Sequence, residues 1–246
     1  MSLLQVSNLT KAFGGIHAAE RVSFSVDAQR ITALIGPNGA GKTTVFSLIS
    51  GLVRADAGTV VLAGKDLTGL AAYLRARAGL SRTFQQVRLF KNLSVRDHLF
   101  AALDQRDDAF FRSAFRSDPM ELEEKAQAAL SRVGLNRDMR MHASNLSYGQ
   151  QKLLDFAVAL AKPHTLLLLD EPVAGVNPHL RGELKSLLLK LKQDGETIFL
   201  IEHDMDFVRS VADHVIVMDQ GRVLMEGAPE IVLTDPRVLE AYLGTP

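Results

Sequence analysis

Short apolar runs, bounded by glycine or polar residues, recur along most of the chain. Runs of this length and composition predict β-strands. They cover residues 3–6, 22–26, 31–35, 58–64, 166–169 and 197–201, with further apolar stretches at 215–218 and 222–225. The runs at 31–35 and 166–169 are almost entirely apolar, which is typical of strands that are buried in a parallel sheet.

Apolar residues at helical spacing follow some of these runs. Val45, Leu48 and Ile49 predict a helix after the run at 31–35, and Gly51 follows where a helix C-cap is expected. A last helix is predicted near residues 236–243. Another begins after Leu146, and its buried stripe consists of Leu153, Leu154, Phe156, Ala157 and Leu160.

Residues 92 to 145 have a different character, because helical patterns follow one another there without a strand between them. Ser94 and Asp97 form a plausible cap for one helix. Asp118 and Pro119 are expected to open a second helix as N-cap and first residue, and Gly134 closes it. The pattern predicts a helical insert.

The tip of this insert, residues 107–116, carries three phenylalanines among charged residues. Phe110, Phe111 and Phe115 form either part of the insert's own core or a docking surface for a partner, since exposed apolar patches mark interaction sites.

Composition narrows the class of protein. The 246 residues suffice for a sizeable core, and the 28 basic residues balance the 28 acidic ones, so bulk charge gives no support to nucleic-acid or bilayer binding. The absence of cysteine excludes disulfides, cysteine zinc sites and thiol nucleophiles. We expect no export signal after Met1, and no apolar run approaches the ~20 residues that span a bilayer.

A glycine-rich segment joins the run at 31–35 to the next helix. Its spacing is Gly36-x4-Gly41-Lys42-Thr43, and strand, glycine loop and helix in this order are the context of a phosphate-binding P-loop. Such glycines let backbone N–H groups point at one anion, and the helix adds its positive dipole end. Lys42 would reach the outer phosphates, and the Thr43 hydroxyl would bind Mg²⁺. The alternative is a turn that binds nothing; we interpret the segment as a nucleoside triphosphate site.

Polar side chains follow two of the predicted strands. Asp170 and Glu171 end the run at 166–169, and His203 lies just beyond the run at 197–201. Ligands of open α/β sheets bind at the carboxyl ends of strands, and behind a P-loop an aspartate there is the expected partner of Mg²⁺. The alternatives are a solvated strand end and a structural histidine.

Two other stretches carry weaker signals. Ser147, Gly149 and Gln150 open a helix, whose N-terminus is a candidate for a second anion site. Phe13 lies beside two glycines and would either stack on a purine or pack in the core. Gln85 has no role that the pattern alone indicates.

Taken in order, three stretches resemble the nucleotide-binding subunit of an ABC transporter. They are GPNGAGKTT at 36–44, LSYGQ at 146–150 and LLLLDEP at 166–172, which match the Walker A loop, the family signature and the Walker B strand, and His203 completes the set. The resemblance implies an α/β fold in which a P-loop NTPase core, a mostly parallel sheet flanked by helices, carries an N-terminal antiparallel β subdomain and a helical insert. We therefore expect one ABC ATPase domain over residues 1–246, with a helical subdomain at about 92–160 inserted in its nucleotide-binding core.

The resemblance also assigns roles. Asp170 and Thr43 would bind Mg²⁺, with Gln85 as the Q-loop glutamine that touches the ion or its water. Glu171 would polarise the attacking water and His203 would contact the γ-phosphate, so the implied catalytic residues are Glu171, His203, Lys42 and Gln85. Phe13 would stack on adenine. The remaining implied contacts with ATP are Gly36, Pro37, Asn38, Gly39, Ala40, Gly41, Lys42, Thr43 and Thr44, and, across a subunit interface, Ser147, Gly149 and Gln150.

Partners follow from the same resemblance. Two ATP-binding subunits, identical or similar, would face each other head to tail, so that each P-loop meets the other subunit's signature. Hydrolysis of ATP would then move transmembrane permease subunits, which receive solute from a periplasmic or extracellular binding protein. The expected location is the cytoplasmic face of the cell membrane, with the subunit held there by the permease and with no nucleic acid bound.

Shorter stretches resemble the ATPases of branched-chain amino-acid importers. They are 13–15, 82–85, 88–90, 174–178, 202–205 and 240–244. Leu153 and Val158 depart from that pattern, in which arginines usually follow the signature. Urea, amide or aromatic-acid importers and the lipopolysaccharide exporter are the alternatives within the family.

Other classes of protein fit less well. A soluble ABC-type ATPase acting on DNA or ribosomes would carry a long coiled coil or a second cassette, and the sequence has neither. A P-loop kinase or GTPase leaves the LSYGQ stretch without an explanation.

Overall fold

The computed structural model describes residues 2–83, 89–103 and 119–243. The chain divides into two compact units, of which the first comprises Met1–Gln85 with His164–Pro246 and the second comprises Gln86–Pro163. The strands are β1 Ser2–Phe13, β2 Ile16–Asp27, β3 Ile31–Ile35, β4 Ala57–Leu62, β5 Lys65–Asp66, β6 Leu80–Arg82, β7 Leu166–Asp170, β8 Ile198–Ile201, β9 His214–Asp219 and β10 Arg222–Gly227. The helices are α1 Lys42–Ser50, α2 Ala72–Arg77, α3 Val95–Leu103, α4 Pro119–Arg132, α5 Tyr148–Ala161, α6 Pro178–Gln193, α7 Met205–Val211, α8 Pro229–Val232 and α9 Pro236–Leu243.

A six-stranded sheet in the order β10-β9-β3-β8-β7-β6 forms the centre of the first unit. Its strands run parallel except for β10, which is antiparallel to β9. Strands β3, β7 and β8 are buried at every position, as strands covered on both faces must be. The predicted mostly parallel α/β core is confirmed.

The second sheet of this unit is antiparallel, in the order β2-β1-β4-β5. The predicted strands at 3–6 and 22–26 were too short, because β1 and β2 each extend over 12 residues. The pairing of β1 with β2 shifts register at several points, for example beyond Val6, and each shift interrupts the alternation of apolar and polar residues. A prediction from that alternation therefore ends the strands too early. The antiparallel β subdomain itself is confirmed.

Helix α1 links the two sheets through an aromatic cluster. The ring of Phe46 on α1 lies 4.9 Å from that of Phe199 on β8, and Phe24 on β2 lies 5.4 Å from Phe199. Each buried phenylalanine contributes roughly 1.5–3 kcal/mol of transfer free energy. The middle of α1, at Phe46, is therefore fixed by packing against this cluster.

The end of α1 is also fixed. Gly51 caps it with a left-handed φ of 75°, as predicted from the sequence. The buried Arg75 guanidinium donates to the carbonyl oxygens of Leu48 and Ile49 at 2.7 and 2.8 Å. A cation at this position complements the negative end of the helix dipole.

The second unit contains α3, α4 and α5, which pack against one another. The predicted cap of α3 is present, since Ser94 Oγ donates to Asp97 Oδ2 at 2.6 Å and accepts from the Asp97 N–H at 3.1 Å. Gly134, with a φ of 71°, ends the α4 segment as predicted. Asp118, Phe110, Phe111 and Phe115 lie outside the described residues.

Helix α6 was not predicted, although its signals are present. Asn177 caps it by accepting the Leu180 N–H at 2.9 Å, and Pro178 is its first residue. Its buried face consists of Leu180, Leu184, Leu187, Leu188 and Leu191. Within the described ranges, no helix has the length and apolar character that crossing a membrane requires.

Candidate nucleotide-binding site

The loop between β3 and α1 lies between backbone segments from distant parts of the chain. A Cβ on Gly36 would lie 2.1 Å from the Met218 carbonyl oxygen, and one on Gly41 would lie 2.0 Å from the Ala18 carbonyl oxygen. Both glycines also have positive φ, 149° and 97°. Only glycine fits these two positions, and the loop can therefore keep its backbone N–H groups close to a bound anion.

The N-terminus of α1 has the character of an anion site. Gly41 precedes the helix in the left-handed region, and no side chain caps the first turn. The Val45 N–H donates to the Gly41 carbonyl oxygen at 2.9 Å, which leaves the earlier amides of the turn outside the helical ladder. The Thr43 side chain is exposed at this end, where a metal ligand would have to be.

The Lys42 side chain folds back over the loop. Its Nζ donates to the carbonyl oxygens of Gly36 at 2.6 Å and Pro37 at 2.9 Å. Burial lowers the pKa of Lys42, and the nearby charge of Glu171 acts against that shift. The ammonium group thus lies inside the loop, where phosphate oxygens can replace the two carbonyls as its partners.

Asp170 ends β7 and pairs with an arginine from β6. Arg82 Nη2 donates to Asp170 Oδ2 at 2.8 Å, and the side chains of both residues are less than a tenth exposed, at 8% and 6%. Arg82 Nη1 also donates to Ser50 Oγ, at 2.7 Å. No residue of the described ranges donates to Asp170 Oδ1 in the structure, so this oxygen can bind a cation.

Glu171 and His203 come together at the ends of β7 and β8. His203 Nδ1 lies 3.9 Å from Glu171 Oε2. Glu171 has a φ of 49°, an uncommon conformation for a non-glycine residue, and its N–H donates to the Ile201 carbonyl oxygen at 3.0 Å. The sequence predicts that Asp170, Glu171 and His203 lie at one edge of the sheet. Strands β7 and β8 do end side by side, since Asp170 pairs with Ile201.

The residues of the signature stretch lie in the second unit. Ser147 caps α5: its Oγ accepts the Gln150 N–H at 3.3 Å, and Gln150 Oε1 accepts the Ser147 N–H at 3.1 Å. Ser147 and Tyr148 are exposed, and Gly149 is half-buried. The capping box fixes the N-terminus of this helix, where Ser147 and Tyr148 are open to solvent.

Phe13 and Gln85 are the two remaining residues to which the sequence analysis gave a role. Phe13 ends β1, and its side chain is 49% exposed, so it does not belong to the buried core. Lys11 Nζ lies 5.4 Å from the centre of its ring. Gln85 lies outside the described residues.

Three residues near the site received no role from sequence reasoning. All three, Arg82, Glu202 and Tyr242, stand in stretches that resemble the ATPases of branched-chain importers, and this resemblance was the available signal. Tyr242 of α9 is the third: burial raises the pKa of its phenol, while the Gly36 N–H acts in the opposite direction. Within the described part of the chain, its buried hydroxyl meets no partner within hydrogen-bond limits, so it lies near Gly36 without a formed bond.

Two family models match this chain. The ABC transporter model matches residues 19–174, which is more than half of the sequence. The model described as branched-chain amino acid ATP-binding cassette transporter matches residues 222–246.

Relatives extend the similarity to both ends. The high-affinity branched-chain amino acid transport ATP-binding protein BraF of Pseudomonas aeruginosa is 40% identical, covering 98% of each chain. LivG of Escherichia coli, which carries the same description, is 40% identical with the same coverage. The probable branched-chain amino acid transport ATP-binding protein LivG of Archaeoglobus fulgidus is 40% identical over 99% of this chain and 96% of that protein.

Solved structures agree with these relatives. The nucleotide-free form of an ATP-binding cassette from an ABC transporter has a TM-score of 0.87 and 33% identity, covering 100% of both chains. The ADP conformation of MJ1267, an ATP-binding cassette of an ABC transporter, gives the same values. The resemblance noted in the sequence is confirmed: the chain belongs to the ABC transporter family, as one of its ATP-binding subunits.

Proposed function

We propose that this chain binds ATP with Mg²⁺ and hydrolyses it to drive the import of branched-chain amino acids or related small solutes. The class of solute rests on the relatives, which are described as branched-chain amino acid transport proteins. The chemistry rests on one arrangement above all. Lys42, Glu171 and His203 surround the carboxyl edge of one parallel sheet, with the carboxylate and the imidazole 3.9 Å apart.

The phosphate loop binds the triphosphate. Backbone N–H groups of the phosphate loop donate to its oxygens, and the Lys42 ammonium leaves the carbonyl oxygens of Gly36 and Pro37 to bind the outer phosphates. Phe13 offers an exposed ring on which adenine stacks. Each of these groups neutralises or orients the nucleotide before any bond is broken.

The residues present fit a magnesium ion. The Asp170 carboxylate and the Thr43 hydroxyl would supply oxygen ligands of the kind that Mg²⁺ prefers, and Asp170 Oδ1 accepts no hydrogen bond from the described residues. The Gln85 amide is expected to add a further oxygen. When bound, the ion neutralises charge on the phosphate oxygens.

Hydrolysis is assigned to the neighbouring pair. Glu171 orients a water molecule whose oxygen attacks the γ-phosphorus, while the bond from that phosphorus to the bridging oxygen of ADP breaks. His203 donates to a γ-phosphate oxygen and holds it in place. The products are ADP and inorganic phosphate, and the proton of the water ends on the phosphate or on Glu171.

A second subunit completes the site. Ser147, Gly149 and Gln150 contact the ATP that the other subunit holds, in an isologous pair with two shared sites. Ser147 is exposed and Gly149 and Gln150 are half-buried, which is compatible with this role. Permease subunits hold the pair at the cytoplasmic face of the cell membrane, and a solute-binding protein acts on the other side.

Substitution of Glu171 tests the proposal. We expect Glu171→Gln to bind ATP with nearly unchanged affinity, to lose at least about 100-fold in kcat, and to form an ATP-dependent dimer on size-exclusion chromatography. A wild-type chain that does not hydrolyse ATP would refute the activity. A fully active Glu171→Gln variant would remove only Glu171 from its role.

A further inference from the structure

Glu202 is a buried carboxylate to which the proposed hydrolysis assigns no task. It follows β8, its side chain has 0% exposure, and it lies between the segment after Glu171 and the segment that carries His203. A buried carboxylate is costly unless it is hydrogen-bonded. The hydrogen-bond partners of Glu202 therefore indicate the role of this carboxylate.

The two carboxylate oxygens serve different segments. Oε1 accepts the N–H of Val173 at 3.0 Å, two residues after Glu171. Oε2 accepts the N–H of His203 at 3.0 Å and the N–H of Asp204 at 3.5 Å. One buried side chain thus joins the loop after Glu171 to the segment that carries His203.

The backbone at Glu171 needs such support. Its φ of 49° lies in a region that costs about 1–3 kcal/mol for a non-glycine residue, and it persists only when the surroundings fix it. The Glu171 N–H is bonded to Ile201, and the turn after it is closed by the Ala174 N–H, which donates to the Glu171 carbonyl oxygen at 3.1 Å. The hydrogen bond from the Val173 N–H to Glu202 joins this turn to the segment that carries His203.

We propose that Glu202 is a positioning residue that fixes Glu171 and His203 relative to each other. The inference rests on the proposed function, because it assigns Glu202 to the residues that would act on the γ-phosphate. A glutamine at this position has one acceptor oxygen and one N–H₂ group, so it can serve only one of the two loops. An aspartate keeps the charge but is one methylene shorter and cannot span the same distance.

The test uses the full-length chain and compares Glu202→Gln and Glu202→Asp with Asp213→Asn. Asp213 is a matched control, since its Oδ2 accepts the Ile31 N–H at 2.9 Å and its Oδ1 accepts from Lys192 at 2.9 Å, at the opposite end of the sheet. We expect both Glu202 variants to lose at least about 10-fold in kcat while the Kd for ATP stays within about 2-fold. Asp213→Asn should keep both values.

Hydrogen exchange adds a second measurement, and its first part uses the wild-type chain alone, so that part does not depend on whether a variant folds. In the wild-type chain the amides of Val173 and His203 should exchange slowly, and in Glu202→Gln at least one of them should exchange about 10-fold faster or more. Fast exchange of both amides in the wild-type chain would overturn the proposal, as would wild-type kcat in Glu202→Gln or an equal loss in Asp213→Asn. A wild-type chain without ATPase activity would instead refute the proposed function.

Discussion

Arg82 and Asp170 form a buried ion pair, with Nη2 and Oδ2 2.8 Å apart. They come from neighbouring strands, β6 and β7. Arg82 also donates a hydrogen bond to the Ser50 hydroxyl at the end of α1. The arginine thereby holds one oxygen of the carboxylate that we assign to Mg²⁺. Its positive charge compensates Asp170 whether or not the ion is bound.

Removal of Arg82 should destabilise the nucleotide-free chain. Arg82→Ala leaves a buried carboxylate without its partner, which typically costs about 3–5 kcal/mol. We expect a lower urea midpoint, with a larger recovery on addition of ATP and Mg²⁺ than of ATP and a chelator. Arg222→Ala, which breaks the exposed pair with Glu20, should leave the midpoint nearly unchanged. Equal recovery with and without Mg²⁺ would contradict a role for Asp170 in binding the ion.

Lys42 should be required for binding of the triphosphate. Lys42→Ala removes the ammonium group that contacts Gly36 and Pro37, and we expect the Kd for ATP to rise at least about 10-fold by calorimetry. Lys65→Ala, an exposed lysine on β5, is the control and should bind as the wild-type chain does. Unchanged affinity in Lys42→Ala would refute the P-loop assignment.

Phe13 should contribute to nucleotide affinity and little to stability. Because the ring is exposed, Phe13→Ala should change the free energy of unfolding by less than about 0.5 kcal/mol. Loss of stacking should raise the Kd for ATP by roughly 3–10-fold. Ile16→Ala is matched, since Ile16 pairs with Phe13 across the hairpin and is 74% exposed. The same effect in both variants would argue against stacking at Phe13.

Asp155 should make stability depend on pH. Burial raises the pKa of its carboxyl from 3.8 to about 7, and the Lys152 charge acts against this. The folded chain therefore keeps a proton that the unfolded chain releases, so the free energy of unfolding falls as pH rises from about 4 to about 7 and then levels.

The variant Asp155→Asn isolates this effect. It should remove the decline and be more stable than the wild-type chain at pH 8 by roughly 1–3 kcal/mol in urea unfolding. Asp138→Asn, an exposed carboxylate of the same unit, should follow the wild-type curve. If the stability of Asp155→Asn fell with pH in parallel with that of the wild-type chain, the raised pKa of Asp155 would be contradicted.

The sequence was sufficient for features that depend on neighbouring residues. The strand, loop and helix at 31–50, the cap at Ser94 and the C-cap at Gly51 are each specified within a few positions. Helix α6 could have been predicted in the same way, from Asn177, Pro178 and the leucines that follow.

Contacts between distant residues could not be predicted. Arg82 and Asp170 are 88 positions apart, and Val173 and Glu202 are 29 apart. Each pair depends on strand order in the parallel sheet, which periodicity does not encode. The lengths of β1 and β2 were missed for a related reason, since register shifts are set by pairing with the partner strand.

The carbonyl oxygens of Ala18 and Met218 each form a wall against a glycine of the phosphate loop, so residues from both ends of the sequence give the loop its shape. A truncated chain that stops before β9 would retain every nucleotide-binding motif yet lack one of these walls. The loop is thus a product of the completed fold, and its competence should appear late, when the C-terminal strands have joined the sheet.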